Sequence, residues 1–289
     1  MIVDRRSLVA GAATLLAPAL LVPAAARAGP VTRLRIAGDR VHLPASIDGR
    51  MVEALLDSAA ETSVVDRALA ARLGLRGGAP VIARGTGAAT TDATLVAGVE
   101  LFVAGLRLRP AAVGVIDLGD ISRRLGGRPI ELIIGRDLFD AARLAIDLDA
   151  ATLATVASRA TPRGVRLPLT TRRGIEGVPL TIEGVAAQAD FDSGNGGTVL
   201  IGADFAARHG LLDGRPTSTI AGGGIGGEVR QTTFTLRTLD LAGHRFTDVP
   251  VAIDASPTAA DANIGIRLLR RFAIVTDFRA RVVWLDYRR

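Results

Sequence analysis

Two acidic residues close apolar runs where a charge is least expected. Asp57 ends the run in EALLDSAAETSVVD (residues 53–66), and Asp192 stands inside ADFDSGNGGTVLIG (residues 189–202). Taken singly, each reads as an ordinary turn or helix-cap aspartate. Both, however, are followed by serine (Ser58, Ser193), then by a very small residue (Ala59, Gly194) and soon by a second apolar segment. Two carboxylates held about 3 Å apart cannot both ionise, so they share one proton and titrate as a pair. One then acts as general base on a trapped water, while the protonated one polarises the carbonyl under attack. Such hydrolysis needs no metal, no cofactor, no serine nucleophile and no histidine.

A repeat supplies the means of bringing them together. LPASIDGRMVEALLDS, ending at Ser58, is echoed by VPLTIEGVAAQADFDS, ending at Ser193. Pro44 and Pro179, Gly49 and Gly184, and Asp57 and Asp192 are each 135 apart, and Gly74 and Gly210 are 136 apart. Toward the ends of the halves, Gly135 and Gly265, and Asp147 and Asp277, are 130 apart. Order and register held across three blocks mark a duplication. The copies are expected over 29–158 and 159–289, joined by the polar ASRATPRG connector. In this register Asp190 falls opposite Leu55, so it reads as an accidental neighbour. Packing about a pseudo-two-fold axis would let Asp57 and Asp192 meet.

Each copy has the same predicted layout. An extended segment turns at Asp48-Gly49 or Glu183-Gly184 and returns as a strand into the aspartate. A short helix follows, with Leu69 and Leu73 at helical spacing and Gly74 ending it. Glycine-rich hairpins come next, around Gly85-Thr86-Gly87 and Gly224-Ile225-Gly226. An Ile-Gly block, a short helix and a final strand pair close the unit. The fold class is therefore mostly β: two similar β-rich lobes related by a pseudo-two-fold axis, with short helices. Composition agrees, since 48% of residues are hydrophobic but only 3% aromatic, leaving a core of Val, Leu, Ile and Ala. The absence of cysteine excludes disulfides, thiolate metal sites and a cysteine nucleophile.

The formal charge is +6, carried entirely by arginine on the basic side. The arginines are scattered among acids and aromatic stacking platforms are scarce, so no nucleic-acid partner is expected. MIVDRRSLVAGAATLLAPALLVPAAARAGP, at the N-terminus, reads as a bacterial secretory signal with a twin-arginine pair, residues 1–28, cleaved after Ala28. Pro18 and Pro23 argue against a membrane anchor. The mature protein is expected to be exported, periplasmic or secreted, with no membrane association once the signal is removed.

LLDSAAETSVV resembles the apolar-apolar-Asp-Thr/Ser-Gly-Ala-Glu/Asp-Thr signature of retroviral-type aspartic proteases. LIIGRDLF resembles their second signature, and FDSGNGGTVLIG the second catalytic loop of single-chain bacterial members. The resemblance covers nearly the whole mature chain. It implies the acid-protease fold, a peptide or protein substrate, and Asp57 and Asp192 as the catalytic pair. By the same resemblance, Ser58 and Ser193 hold the two loops together, and Gly135 and Gly265 let the closing segments pass close behind them. The hairpins at Gly85, Thr86, Gly87 and Gly224, Ile225, Gly226 fall where the family's flaps close over substrate. Glu61 and Arg136 match an ion pair of retroviral relatives; with Gly196 and Ile266 in their places, the second copy lacks it. One chain supplies both aspartates, so a monomer suffices.

Departures from the pattern carry expectations of their own. Ala59 stands where the family has glycine, and its methyl is expected to crowd the pair or demand a less permissive backbone angle; Gly194 keeps the glycine. Ala60 and Asn195 stand where pepsin-like enzymes carry Ser or Thr. Without a hydroxyl at Ala60 the ionised pair is less favoured, which implies a working pH nearer neutral. The single tyrosine, Tyr287, lies far from either flap.

Rival motifs are weaker. GGGIGG at 222–227 satisfies a dinucleotide fingerprint, but EVRQTTFTLRTLDL after it is strand-like, so no helix N-terminus awaits a phosphate. His42, His209 and His244 have no metal-ligand spacing, and Asp147 and Asp277 read as turn residues. The alternative function is a catalytically weak or inactive protease scaffold that binds extended peptides, favoured by Ala59 and opposed by both aspartates and both hydroxyls. A third use of the fold is self-processing or service to one dedicated partner.

Overall fold

Two tight hairpins set the register of each half. Asp48 and Gly49 take φ of 45° and 82°, and Glu183 and Gly184 take 49° and 86°. Consecutive left-handed residues make the two-residue turn whose twist matches paired strands. Arg40–Ile47 thereby lies antiparallel to Arg50–Leu56, with Ile47 opposite Arg50, and Ile175–Ile182 to Val185–Phe191, with Ile182 opposite Val185. The computed structural model describes residues 29–125 and 129–288. The leader expected over residues 1–28 lies outside the described residues.

Three sheets result. One is built wholly from residues between Arg35 and Ile134, and another wholly from residues between Thr170 and Ile264. The third, six-stranded, draws three strands from each copy and joins the lobes. At its centre Leu144–Asp147 runs antiparallel to Phe272–Asp277, with Ala145 opposite Val275. Those two residues are themselves equivalent in the repeat, so the pseudo-two-fold axis passes between them. Leu144 faces Thr276 and Ile146 faces Ile274, as that symmetry demands. Asp147 and Asp277 each accept a backbone N–H three residues on, from Ala150 and Ala280, and so hold turns.

Short helices brace the sheets. Asp66 caps the helix Arg67–Arg72 by accepting from the Ala68 and Leu69 amides, and Gly74 leaves it at φ 69°. Ala203–Arg208 repeats this element, followed by Gly210 at φ 59°. The core is aliphatic: Leu43, Ile47, Leu56, Leu132 and Ile134 are buried, and Phe139 stacks on Phe278 of the other copy at 4.9 Å. Full burial of one such side chain contributes about 1.5–3 kcal/mol. Truncating Ile134, the residue that backs Asp57, to alanine would cost about 2–5 kcal/mol. The GGGIGG stretch forms one arm and the tip of a hairpin and leads into the strand Gly227–Leu241, not into a helix. Among the described residues no helix is long and apolar enough to cross a membrane.

Candidate active site

The Ile-Gly blocks place both aspartates. Leu132–Ile134 runs parallel to Arg50–Leu56 on one side and antiparallel to Val64–Asp66 on the other, so it threads between the two arms of the Asp57 loop. Ala262–Ile264 does the same between Val185–Phe191 and Val199–Gly202. The Asp57 amide donates to the Ile134 carbonyl at 2.9 Å, and the Asp192 amide to Ile264 at 3.0 Å. Chain crossing behind each loop requires glycine. A Cβ on Gly135 would lie 2.6 Å from the Thr62 carbonyl oxygen, and one on Gly265 2.1 Å from that of Asn195.

Ser58 and Ser193 join the loops reciprocally. The Ser58 amide donates to Ser193 Oγ and the Ser193 amide to Ser58 Oγ, both at 2.9 Å. Each hydroxyl then donates across the axis, Ser58 to the Phe191 carbonyl at 2.7 Å and Ser193 to that of Leu56 at 3.2 Å. With both serines buried, all four polar groups are satisfied only while the two copies stay docked.

Asp57 and Asp192 thus come together. Asp57 Oδ1 accepts the Ala59 and Ala60 amides at 2.9 and 3.1 Å. Asp192 Oδ1 accepts those of Gly194 and Asn195 at 2.8 and 3.0 Å, and its Oδ2 accepts Asn263 Nδ2 at 2.8 Å. The Asp57 carboxyl lies directly against Gly194, where an added Cβ would stand 2.4 Å from Cγ. Burial, reinforced by the Asp192 charge, pushes the Asp57 carboxyl up to about 7. Burial also raises Asp192, opposed first by the hydrogen bond from Asn263. Asp190 makes no hydrogen bond to this network and lies 3.8 Å from Arg172; burial raises it to about 6 against the Arg172 charge, and the Asp192 charge adds to the rise.

The two glycine-rich hairpins meet at their tips. The Gly87 amide donates to the Ile225 carbonyl at 3.0 Å and the Ala89 amide to Gly226 at 2.9 Å. A Cβ on Gly87 would lie 2.3 Å from the Gly226 carbonyl carbon, and one on Gly224 2.4 Å from Thr86 Oγ1. Glycine at these positions is what permits the contact. Ile225 packs on an apolar cluster of the first copy that includes Leu55, Val64, Leu118 and Ile133.

Two expectations are corrected. Ala59 keeps a negative φ, so its methyl demands no unusual backbone angle. The Glu61–Arg136 ion pair does not form. Arg136 instead reaches the second copy, with Nη2 2.8 Å from Glu176 Oε1 and Nη1 2.8 Å from the Gly174 carbonyl, while Nε pairs with Asp140 at 2.9 Å. Gly174 occupies the space beside Glu61, where an added Cβ would lie 2.8 Å from Glu61 Cγ.

Three contributors escaped the sequence reading. Asn263 is one. A second is Arg40, whose guanidinium lies so close to Gly196 that a Cβ there would be 1.5 Å from Nη1. Burial lowers its pKa, and the charges of Asp192 and Asp57 act against that. The third is Arg124, on the helix Gly119–Arg124, which donates to the Gly224 carbonyl of the second glycine-rich hairpin at 2.6 Å. A signal existed for Asn263, because it breaks the repeat where the first copy has Ile133.

Residues 43–138 and 178–266 each match the aspartyl protease family, one match in each copy. These segments span more than half of the chain, which belongs to that family. No curated protein matches the chain.

Proposed function

We propose that the protein is an aspartic endopeptidase in which Asp57 and Asp192 activate water against a peptide bond, with residues 29–158 and 159–289 as the lobes flanking the cleft. The reciprocal Ser58–Ser193 exchange carries this reading. It ties together two loops whose next residues back are aspartates, Asp192 buried and Asp57 half-buried, and withdrawing two carboxylates from water in this way costs stability. In the monoanionic pair, the ionised carboxylate takes a proton from water as the water oxygen bonds to the carbonyl carbon. The neutral carboxyl gives its proton to the carbonyl oxygen, forming a gem-diol. The C–N bond then breaks as the nitrogen takes the proton that the first carboxyl had drawn from water and a gem-diol hydroxyl returns a proton to the second, so a carboxylic acid and an amine leave and the monoanionic pair is restored. Flap closure would exclude bulk water from this step.

Raised carboxyl pKa values favour activity nearer neutral pH than in acid proteases with strongly depressed pairs. Residues 1–28 would act as a cleaved export leader, giving a periplasmic or secreted monomer. The test is incubation with a mixed library of unstructured peptides from pH 3 to 8, beside Asp57→Asn and Asp192→Asn. Cleavage by the parent and by neither variant is expected. Equal cleavage by all three proteins would overturn the two-aspartate mechanism, and silence of the parent would favour a peptide-binding scaffold.

A further inference from the structure

Asn263 has no counterpart around the other aspartate. The equivalent residue in the first copy, Ile133, is buried among Leu55, Val64 and Ile116. Asn263 lies in the middle of the strand Ala262–Ile264, 9% exposed, paired with Asp190 on one side and Leu200 on the other. A buried amide in place of an isoleucine is costly unless its hydrogen bonds are met.

They are met in a fixed direction. The Gly197 amide, which can only donate, bonds Asn195 Oδ1 at 2.8 Å. That orients Asn195 Nδ2 toward the Thr198 carbonyl at 3.3 Å and Asn263 Oδ1 at 2.8 Å. Asn263 Nδ2 is then left facing Asp192 Oδ2 at 2.8 Å. Turning the last amide over would place donor against donor at Asn195 and acceptor against acceptor at Asp192. Asp192 accordingly accepts three N–H groups across both oxygens. Asp57 accepts two, both on Oδ1, and its Oδ2 has no hydrogen-bond partner among the described residues. Donors stabilise the carboxylate, and the aspartate with fewer keeps its proton.

We propose that Asn263 is a positioning residue that fixes the charge of the pair on Asp192 and leaves the proton on Asp57. Asp192 is then the general base toward water and Asp57 the acid toward the carbonyl; these roles rest on the peptidase reading above. The other charges facing the pair do not reverse this order. Arg40 acts on both aspartates. Asp190, with Arg172 beside it, is raised by burial to about 6 and is neutral over the acid range.

The assignment has a signature that a merely structural contact lacks. The first proton lost belongs to Asp192 and the second to Asp57. Asn263 stabilises the Asp192 anion before and after the second loss, so removing it should raise only the first step. The experiment is ¹³C NMR titration of aspartate carboxyls in the full protein and in Asn263→Leu, with Asp57→Asn and Asp192→Asn for assignment. The pH profile of peptide cleavage is measured in parallel. Asp192 is expected to titrate first in the parent, and the lower step should rise by about one pH unit in Asn263→Leu, with the upper step unmoved. The acid limb of kcat/KM should follow. Asn195→Ala, which frees the Asn263 amide to rotate, should move the lower step the same way by less, and it carries the test if Asn263→Leu does not fold. Titration of Asp57 first, an unmoved lower step or movement of the upper step alone would overturn the proposal. A parent that shows the asymmetry but cleaves nothing would overturn the peptidase reading instead and leave the charge assignment standing.

Discussion

Gly194 lies beneath Asp57 so closely that a methyl group on it would stand 2.4 Å from the carboxyl carbon. The equivalent residue of the first copy, Ala59, already carries a methyl, so the repeat does not impose glycine there. Gly194→Ala should therefore displace Asp57 from the pair. Peptide cleavage is expected to fall at least about 100-fold, since small misplacements of reacting groups cost that much. Overpacking should lower stability by about 1–3 kcal/mol. Kinetics and urea unfolding of Gly194→Ala beside the parent check this, and full activity would show that the loop yields freely.

The raised Asp57 pKa also makes a stability prediction. Its folded value, about 7, lies above the ordinary value of an unfolded aspartate, so the native state binds the proton more tightly. That contribution is complete below about pH 4 and is lost as pH rises through about 7. Asp57→Asn, which has no proton to lose, should match the parent near pH 4 and exceed it at pH 8 by on the order of 1–3 kcal/mol. Urea unfolding at both pH values decides the matter. A difference that does not change with pH would mean that Asp57 is not held protonated by the fold.

Arg40 makes a separable contribution to the same titration. Its charge acts on both carboxylates, and its guanidinium occupies the space left by Gly196. Replacing it by glutamine removes the cation from both ionisations. Both limbs of the kcat/KM profile should move up by about 0.5–1 pH unit, unlike the single limb expected for Asn263→Leu. Movement of one limb only would place Arg40 beside one aspartate.

What could be read from the chain was whatever local chemistry repeats. The Asp48-Gly49 and Glu183-Gly184 turns, the helices that end at Gly74 and Gly210, and the threading of the Ile-Gly blocks follow from short-range patterns that occur twice in register. Symmetry was equally legible, because the offset between Asp57 and Asp192 is the offset of their strands. Asymmetry was not. Asn263 is one mismatch among many in the alignment, and only the directed chain from Gly197 through Asn195 gives it meaning. Contacts between copies were invisible for another reason. Arg136 finds Glu176 because lobe packing brings a second-copy strand beside the first-copy helix, and no spacing rule encodes that distance. The expected Glu61 partner came from relatives in which the neighbouring lobe is an identical chain.

The inter-lobe pair itself is testable. Glu176 is 1% exposed, and its Oε1 accepts from Arg136 and from Thr171 Oγ1 at 2.8 Å. Removing the cation strands a buried carboxylate, so Arg136→Met should destabilise by about 3–5 kcal/mol. Glu61→Ala, by contrast, should change stability by no more than about 0.5 kcal/mol. The double variant Arg136→Met/Glu176→Met should recover much of the loss, because no charge is then left buried. Urea unfolding of the four proteins gives the answer; equal effects of Arg136→Met and Glu61→Ala would restore the pairing that the resemblance to retroviral relatives implied.

Arg124 bears on how the flaps open. The tips are joined by two backbone hydrogen bonds, from Gly87 to Ile225 and from Ala89 to Gly226, and Arg124 adds a charged donor to the Gly224 carbonyl at 2.6 Å. Its guanidinium is steadied by Asp120, four residues earlier on the same helix. The first lobe therefore grips the flap of the second. A substrate must still enter, so the three bonds have to break together or in turn. Arg124→Ala should raise amide hydrogen exchange across residues 222–227 and lower KM about three- to tenfold, with kcat nearly unchanged, because it removes a charge-assisted hydrogen bond of about 1 kcal/mol that must otherwise break before substrate enters. Asp120→Ala should give a weaker version of both effects. If exchange at the flap is unaltered while kcat falls, Arg124 acts on the reacting groups and not on closure.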